Sequence, residues 1–97
     1  MEKKPAGKWH LYMILCSDGT YYTGITNDVS KRIERHNKGT ASRYTRSRRP
    51  VTLVHTRRCK DRSDALKKEF AIKQLSREEK EGYLRKHGKG RRRQIPK

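Results

Sequence analysis

The chain is poor in apolar residues. Hydrophobic residues fill 30% of its 97 positions, and there is only one Trp and one Phe. Globular proteins usually hold about 45–50% apolar residues, so this chain can build one modest core. No run approaches the roughly 20 apolar residues of a membrane-spanning helix, and the N-terminal stretch lacks the apolar segment of a secretory signal. We therefore expect one small domain with neither feature.

Cysteine is equally scarce, since Cys16 and Cys59 are the only two. They lie far apart in the chain and match no CxxC pattern, so a metal-binding or redox pair is not indicated. We expect two free, buried thiols in a protein of the reducing cytoplasm, where thiols stay reduced. A disulfide between them is the alternative.

Acidic residues are also few. The chain carries 27 Lys and Arg against 10 Asp and Glu, which gives a net charge of +17. A positive field of this strength favours a polyanionic partner, and nucleic acid is the most common one. An anionic membrane surface is the rival, but the segment 76–87 offers it only Tyr83 and Leu84 as bulky apolar contacts. The charge therefore predicts a nucleic-acid partner and no membrane partner.

Six elements are predicted from apolar spacing and turn residues, in the order β-β-α-β-α-α. The strands are expected over 9–16, 21–26 and 51–56, and the helices over 29–38, 64–75 and 76–87. This order predicts a small α/β (α+β) domain in which helices flank a three-stranded antiparallel sheet. The domain is expected over 9–88, between a flexible tail at 1–8 and a basic tail at 89–97.

Polar residues mark where each helix is expected to begin. The expected caps are Asn27 for the first helix, Asp61 or Ser63 for the second, and the capping-box pair Ser76 and Glu79 for the third. A capping side chain accepts hydrogen bonds from backbone N–H groups that have no partner inside the helix. The capping box is the most specific of these signals, because both of its members must be present at the right spacing.

Apolar residues on the second helix predict its inward side. Leu66, Phe70 and Leu75 are the expected core contacts, since they recur at roughly helical spacing. Glu69 lies beside this stripe in the sequence, so we expect its carboxylate at the rim of the core.

The loop between the first two strands decides which side chains share a face of the sheet. Because side chains alternate along a strand, a two-residue turn would place Tyr12 and Tyr22 on opposite faces. A three-residue loop at 17–19 would place both on one face, with Gly24 opposite Tyr12. Gly19 stands where such a loop needs a left-handed residue, so the sequence favours the three-residue loop.

Four motifs occur in a specific order along the chain. They are His10-Leu11-Tyr12 and Tyr22-Thr23-Gly24 on the hairpin, DVSKRIERHN at 28–37 and LKKEFAIK at 66–73. In this order they resemble the GIY-YIG nuclease domain, and closely its small stand-alone bacterial branch, the YhbQ- or YazA-like proteins. The resemblance covers the segment from Trp9 to Gly88. It implies the fold predicted above and hydrolysis of DNA phosphodiester bonds.

The resemblance implies a catalytic set of five residues: Tyr12, Tyr22, Arg32, His36 and Glu69. Glu69 would bind a divalent metal, Mg²⁺ or Mn²⁺, and Arg32 would hold phosphate oxygens. Tyr12 would be the general base, helped by the charge of Arg32 or of the metal, because its phenol ordinarily has a pKa of about 10. Tyr22 would assist by hydrogen bonding. His36 would donate to phosphate or orient Tyr12, and no small-molecule cofactor is implied.

Two features depart from the family pattern. His10 and Leu11 stand where the family has glycine and isoleucine, a tolerable change because the functional group is the tyrosine. Many family nucleases place an asparagine on the helix after the glutamate, whereas the asparagines here are Asn27 and Asn37, both earlier in the chain. That role is empty or is filled by another group such as Gln74.

Further basic and aromatic residues are expected to bind the nucleic acid through phosphate contacts and stacking. They are Arg43, Tyr44, Arg46, Arg48 and Arg49 in the expected loop 39–50, and Arg91, Arg92 and Arg93 near the C-terminal end. No recognition helix or zinc finger is apparent, so we expect the protein to read the backbone or single strands.

Two functions follow from the sequence. The first is a metal-dependent DNA endonuclease in DNA repair or processing, with single-stranded or branched DNA as its expected substrate. The alternative is a non-catalytic basic nucleic-acid-binding protein, associated with RNA or the ribosome, and the missing asparagine supports it.

Overall fold

Three antiparallel strands form the sheet that positions the site. The computed structural model of the chain describes residues 8–87. Strand β1 (Trp9–Leu15) lies in the centre, between β2 (Tyr21–Thr26) and β3 (Thr52–Cys59). Four consecutive residues of β1, from Leu11 to Ile14, are fully buried, because helices cover both faces of the central strand.

Four helices complete the described part of the chain: α1 (Val29–Lys38), α2 (Arg43–Arg46), α3 (Arg62–Lys73) and α4 (Arg77–His87). The predicted order β-β-α-β-α-α and the antiparallel sheet are confirmed. The addition is α2, a single turn inside the segment that was expected to be a loop. Within residues 8–87, no helix is long and apolar enough to cross a membrane. The tails expected at 1–8 and 89–97 fall almost wholly outside the described residues.

The two faces of the sheet carry separate apolar clusters. On one face, Leu11 and Met13 pack with residues of α3 and α4, and Tyr83 and Leu84 of α4 join this cluster. On the other face, Tyr12 and Ile14 pack with Ile33 of α1. The apolar residues of α4 therefore contact the core, which removes the amphipathic surface that a membrane-bound helix would need.

Two of the expected helix caps are confirmed and one is wrong. Asp61 caps α3, and Ser76 and Glu79 exchange the two hydrogen bonds of a capping box at α4. The cap of α1 is Asp28 and not Asn27, because the Asp28 carboxylate accepts from the Lys31 N–H at 3.1 Å. A carboxylate there also interacts favourably with the positive end of the helix dipole, which an amide does not.

Strand β3 continues beyond the expected end at Thr56. The reason is its pairing with β1, since Trp9 and His10 lie opposite Cys59 and Arg58. A strand boundary set by a partner far along the chain leaves no local sequence signal.

Both cysteines are free and buried, as expected.

The inward side of α3 was predicted wrongly. Leu66 and Phe70 point to solvent, with exposed fractions of 38% and 67%, while Ala65 and Ile72 are buried against the sheet. Ala65 and Ile72 are seven residues apart, two helical turns, so they occupy one face. Leu75 does pack against the core.

The hairpin has the predicted three-residue loop. The Cys16 N–H donates to the Thr20 carbonyl at 2.8 Å, and Gly19 has a φ of +86°. Tyr12 therefore lies opposite Gly24, and Tyr22 lies two positions along on the same face. The register brings both tyrosines to the side of the sheet covered by α1.

The same substitution at two glycines should change stability in opposite directions. In Gly19→Ala, no atom beyond the neighbouring residues lies within 4 Å of the added Cβ. The free energy of unfolding should therefore fall only by the cost of holding alanine in the left-handed conformation, about 1 kcal/mol. Gly82→Ala, in the interior of α4, should stabilise by about 0.5–1 kcal/mol because alanine loses less entropy in a helix. Urea unfolding at fixed pH measures both changes, and a neutral Gly19→Ala would contradict the loop conformation.

Candidate active site

The Tyr12 ring lies against the bare backbone of Gly24. A Cβ built on Gly24 would come within 2.6 Å of the Tyr12 hydroxyl oxygen and 2.8 Å of its Cζ. Such contacts are too short for real atoms, so any larger residue at position 24 would displace the ring. The glycine of the Tyr22-Thr23-Gly24 motif thus keeps open the place where Tyr12 lies.

A buried chain of hydrogen bonds runs from Tyr12 into the molecule. The Tyr12 hydroxyl lies 2.7 Å from His36 Nε2, and His36 Nδ1 lies 2.8 Å from the Thr45 hydroxyl oxygen. The Thr45 hydroxyl donates to the Ser42 carbonyl oxygen at 3.5 Å. With that proton committed, Thr45 accepts from the Nδ1–H of His36, so the neutral imidazole accepts from Tyr12 at Nε2.

Burial dominates the acid–base properties of this chain. It lowers the pKa of His36 to about 4, assisted by the positive charge of Arg32. It also raises the pKa of Tyr12 well above its ordinary value, to which Tyr22 and the negative charge of Glu69 add. Arg32 lowers the pKa of Tyr12 as expected, but the effect of burial is larger. At neutral pH the phenol is protonated and the imidazole is neutral.

Two further rings and one guanidinium extend outward from the Tyr12–His36 pair. The Tyr22 ring centroid lies 6.5 Å from that of Tyr12 and 5.2 Å from that of His36. Tyr44 stacks on Tyr22 at 5.8 Å, and the Arg48 guanidinium lies over the Tyr44 ring at 3.9 Å. The ring of Tyr44 that was expected to receive a nucleobase is therefore already in contact with Tyr22 and Arg48.

Glu69 approaches the same site from α3. Its position falls between Ala65 and Ile72 on the buried side of the helix, and its side chain is only 19% exposed. The Lys73 ammonium lies 3.3 Å from the carboxylate. The sequence predicted Glu69 at the rim of the core, and the structure places it there, between the buried Ala65 and Ile72 and the exposed stripe of Leu66 and Phe70.

The residues around Glu69 fit a hydrated divalent cation. No group of three or more His, Cys, Asp or Glu side chains in residues 8–87 is arranged to hold a metal ion. Mg²⁺ often binds through one carboxylate, several waters and the phosphate oxygens of a substrate. One partly buried carboxylate matches that mode, and Lys73 would have to give way to the ion.

The expected phosphate-binding arginines differ in their freedom. Arg48 pairs with the Asp18 carboxylate at 2.9 Å, and Arg49 donates to the Arg46 carbonyl at 2.8 Å. Arg43 and Arg46 are exposed at the ends of α2. The two pairs thus have separate roles, since Arg48 and Arg49 hold the segment in place while Arg43 and Arg46 face solvent. Arg91, Arg92 and Arg93 lie outside the described residues.

Sequence reasoning did not identify Thr45, Ser42 or Lys73. Ser42 caps α2 by accepting from the Thr45 N–H at 3.2 Å, a spacing that the sequence displays. Nothing local links Thr45 to His36, because the contact depends on how α2 packs against α1. Gln74, the candidate for the missing asparagine, is exposed and ends α3 through its backbone.

The low pKa of His36 predicts a loss of stability in mild acid. The unfolded chain takes up the proton near pH 6.5 but the folded chain only near pH 4, so acid favours unfolding in that interval. The free energy of unfolding, measured in urea, should fall by up to about 3 kcal/mol between pH 7 and pH 4.5. His36→Gln should lose much less over this range, and the exposed His87→Gln is the matched control. An unchanged pH dependence in His36→Gln would contradict the assignment.

Comparisons with known proteins identify the family and the fold. Residues 8–84 match the model of the GIY-YIG catalytic domain. A UPF0213 protein from Halobacterium salinarum is 56% identical over 72 residues, which cover 74% of this chain and 94% of the relative. The solution NMR structure of a protein from E. faecalis superposes with a TM-score of 0.59 at 41% identity, covering 89% of this chain and 90% of that one. A UPF0213 protein from Bacillus halodurans gives a TM-score of 0.57 at 37% identity, over 86% and 88% of the two chains. The chain therefore belongs to the GIY-YIG family of nuclease domains.

Proposed function

We propose that this protein is a metal-dependent endonuclease that hydrolyses DNA phosphodiester bonds. One observation carries the proposal: the charges of Arg32 and Glu69 both act on the Tyr12 phenol, which is itself hydrogen-bonded to His36. Three elements of the fold, β1, α1 and α3, contribute these side chains. A basic group for phosphate, a carboxylate for a cation and a hydrogen-bonded proton carrier are the parts that phosphodiester hydrolysis needs.

Glu69 would hold Mg²⁺ or Mn²⁺, which when bound supplies positive charge to stabilise the transition state and the leaving oxygen. Arg32 would bind non-bridging oxygens of the same phosphate through its planar guanidinium. Tyr22, next to Tyr12 on the same face, would hydrogen-bond to the attacking water or to the phosphate.

The Tyr12–His36 hydrogen bond provides a route for the proton of the attacking water. Tyr12 would accept that proton while passing its own to Nε2 of His36, and Thr45 would keep the Nδ1 proton in place. The low pKa of His36 opposes this transfer in the free protein. A bound phosphate would offset the charge of Arg32, which is one of the two causes of the low pKa, and would make His36 a better proton acceptor.

Single-stranded or branched DNA is the substrate shape that we propose, in DNA repair or processing. The net charge of +17 in 97 residues supports binding through the backbone. Direct reading of a long duplex sequence needs an element that enters a groove, and the sequence shows no recognition helix or zinc finger. The free cysteines support a cytoplasmic location.

Binding of nucleic acid without cleavage is the second candidate function. The contact of 3.3 Å between Lys73 and Glu69 favours it, because an ammonium group beside the carboxylate competes with a metal ion. The absence of an asparagine after Glu69 points the same way. In that case the basic surface would bind RNA or DNA and no metal would be required.

Glu69→Gln separates the two functions. With Mg²⁺ or Mn²⁺ and labelled single-stranded, branched and duplex DNA, the wild type should cleave, chelator should stop cleavage, and Glu69→Gln should slow it at least about 100-fold because the amide binds the cation poorly. Glu34→Gln, at an exposed position of α1, removes the same charge away from the site and should retain activity. Binding of DNA without cleavage under either metal would contradict the nuclease and favour the second candidate.

A further inference from the structure

The outward face of α3 exposes an apolar surface that the fold does not use. Phe70 is the only phenylalanine of the chain and is 67% exposed, and Leu66, one turn earlier, is 38% exposed. We call these two side chains the Phe70 surface. Phenylalanine is normally among the more buried residues, so a mostly exposed one beside a second exposed apolar side chain is a candidate contact site.

The Phe70 surface adjoins the candidate metal ligand and is flanked by lysines. Phe70 follows Glu69 directly, and Lys67 and Lys73 lie three residues before and after it, hence on neighbouring positions of the helix surface. Lys73 reaches the Glu69 carboxylate at 3.3 Å while half of its side chain remains exposed. Phe70 lies about 100° further round the helix than Glu69, so a strand that runs from Glu69 toward the exposed side of α3 would pass the Phe70 ring.

We propose that Phe70, supported by Leu66, stacks on an unpaired nucleobase of the DNA strand whose phosphate lies at Glu69. The inference rests on the proposed function, since it takes the position of the strand from Glu69. Every nucleobase offers a flat face that an aromatic ring can contact, and the flanking lysines would bind the adjacent phosphates. A base inside a duplex keeps both faces stacked on its neighbours, so this contact selects for unpaired or displaced bases.

Charge argues against a second copy of this chain as the occupant. An interface between two Phe70 surfaces would bring Lys67 and Lys73 of both copies together, in a protein that already carries +17. Like charges brought together at an interface weaken association. A polyanion is attracted by the same lysines, which is why we assign the surface to nucleic acid.

Binding to two strands of equal charge tests the stacking contact. Fluorescence anisotropy would compare oligothymidine with an abasic strand of the same length, in the Glu69→Gln background so that cleavage plays no part and no bare carboxylate repels the phosphate. Phe70→Ala should weaken binding of oligothymidine about 5- to 150-fold, the range for loss of one base–aromatic stack, and leave the abasic strand unchanged. Phe70→Trp should retain the affinity because the ring is kept, whereas Phe70→Leu should lose it although an apolar side chain remains.

Three results would overturn the inference. These are equal weakening of both strands, full affinity in Phe70→Leu, and a change of oligomeric state in Phe70→Ala by sedimentation, which would assign the surface to a protein contact. Because Phe70 is mostly exposed, these variants should keep the thermal midpoint of the wild type. The assay measures binding and needs no catalysis. A protein that fails to cleave DNA could therefore still show the stacking contact, and a protein that cleaves could lack it.

Discussion

The hydrogen bond between Tyr12 and His36 joins the central strand to the first helix. Both groups are almost wholly removed from solvent, so each depends on the other for a partner. A buried polar group without a partner costs about 1–3 kcal/mol, and the bond from His36 to Thr45 extends the same dependence to α2. The same hydrogen bonds therefore hold α1 and α2 on the sheet and position the Tyr12–His36 pair.

Burial of the Tyr12–His36 pair opposes proton transfer between the two groups. Burial makes the phenol harder to ionise and the imidazole harder to protonate. In the free protein the pair is therefore held with its proton on Tyr12. In the proposed reaction a substrate phosphate would change this balance, because its negative charge would offset that of Arg32 beside His36. The proposal therefore couples proton transfer to phosphate binding, because His36 is buried and lies beside the charge of Arg32.

Helix α3 divides the remaining tasks between its two sides. Ala65, Glu69 and Ile72 face the sheet, which holds the carboxylate near Tyr12, while Leu66 and Phe70 face solvent. Such a helix has no clean amphipathic pattern, since apolar residues occur all around it. The spacing of apolar residues therefore failed to identify the buried side of α3. It failed at Phe70, the position where our proposal requires an exposed ring.

The hairpin register was predictable because its cause is local. Gly19 supplies the left-handed residue that a three-residue loop needs, and alternation along the strand then places Tyr12 and Tyr22 on one face. Thr45 was not predictable, because its contact with His36 depends on tertiary packing. The extension of β3 was not predictable either, because it depends on pairing with a strand far along the chain. The cap at Asp28 was missed because two adjacent residues, Asn27 and Asp28, can both cap a helix. The roles of the five site residues remain proposals, and the structure supplies their proximity.

Removing one oxygen atom tests the account most directly. Tyr12→Phe keeps the ring over Gly24 but deletes the hydroxyl that faces His36, whereas Tyr21→Phe makes the same change on the opposite face of the sheet. Single-turnover cleavage of single-stranded DNA with Mg²⁺ should fall at least about 100-fold in Tyr12→Phe and stay close to wild type in Tyr21→Phe, with DNA binding retained in both. Equal cleavage by the wild type and Tyr12→Phe would contradict a reaction centred on this phenol.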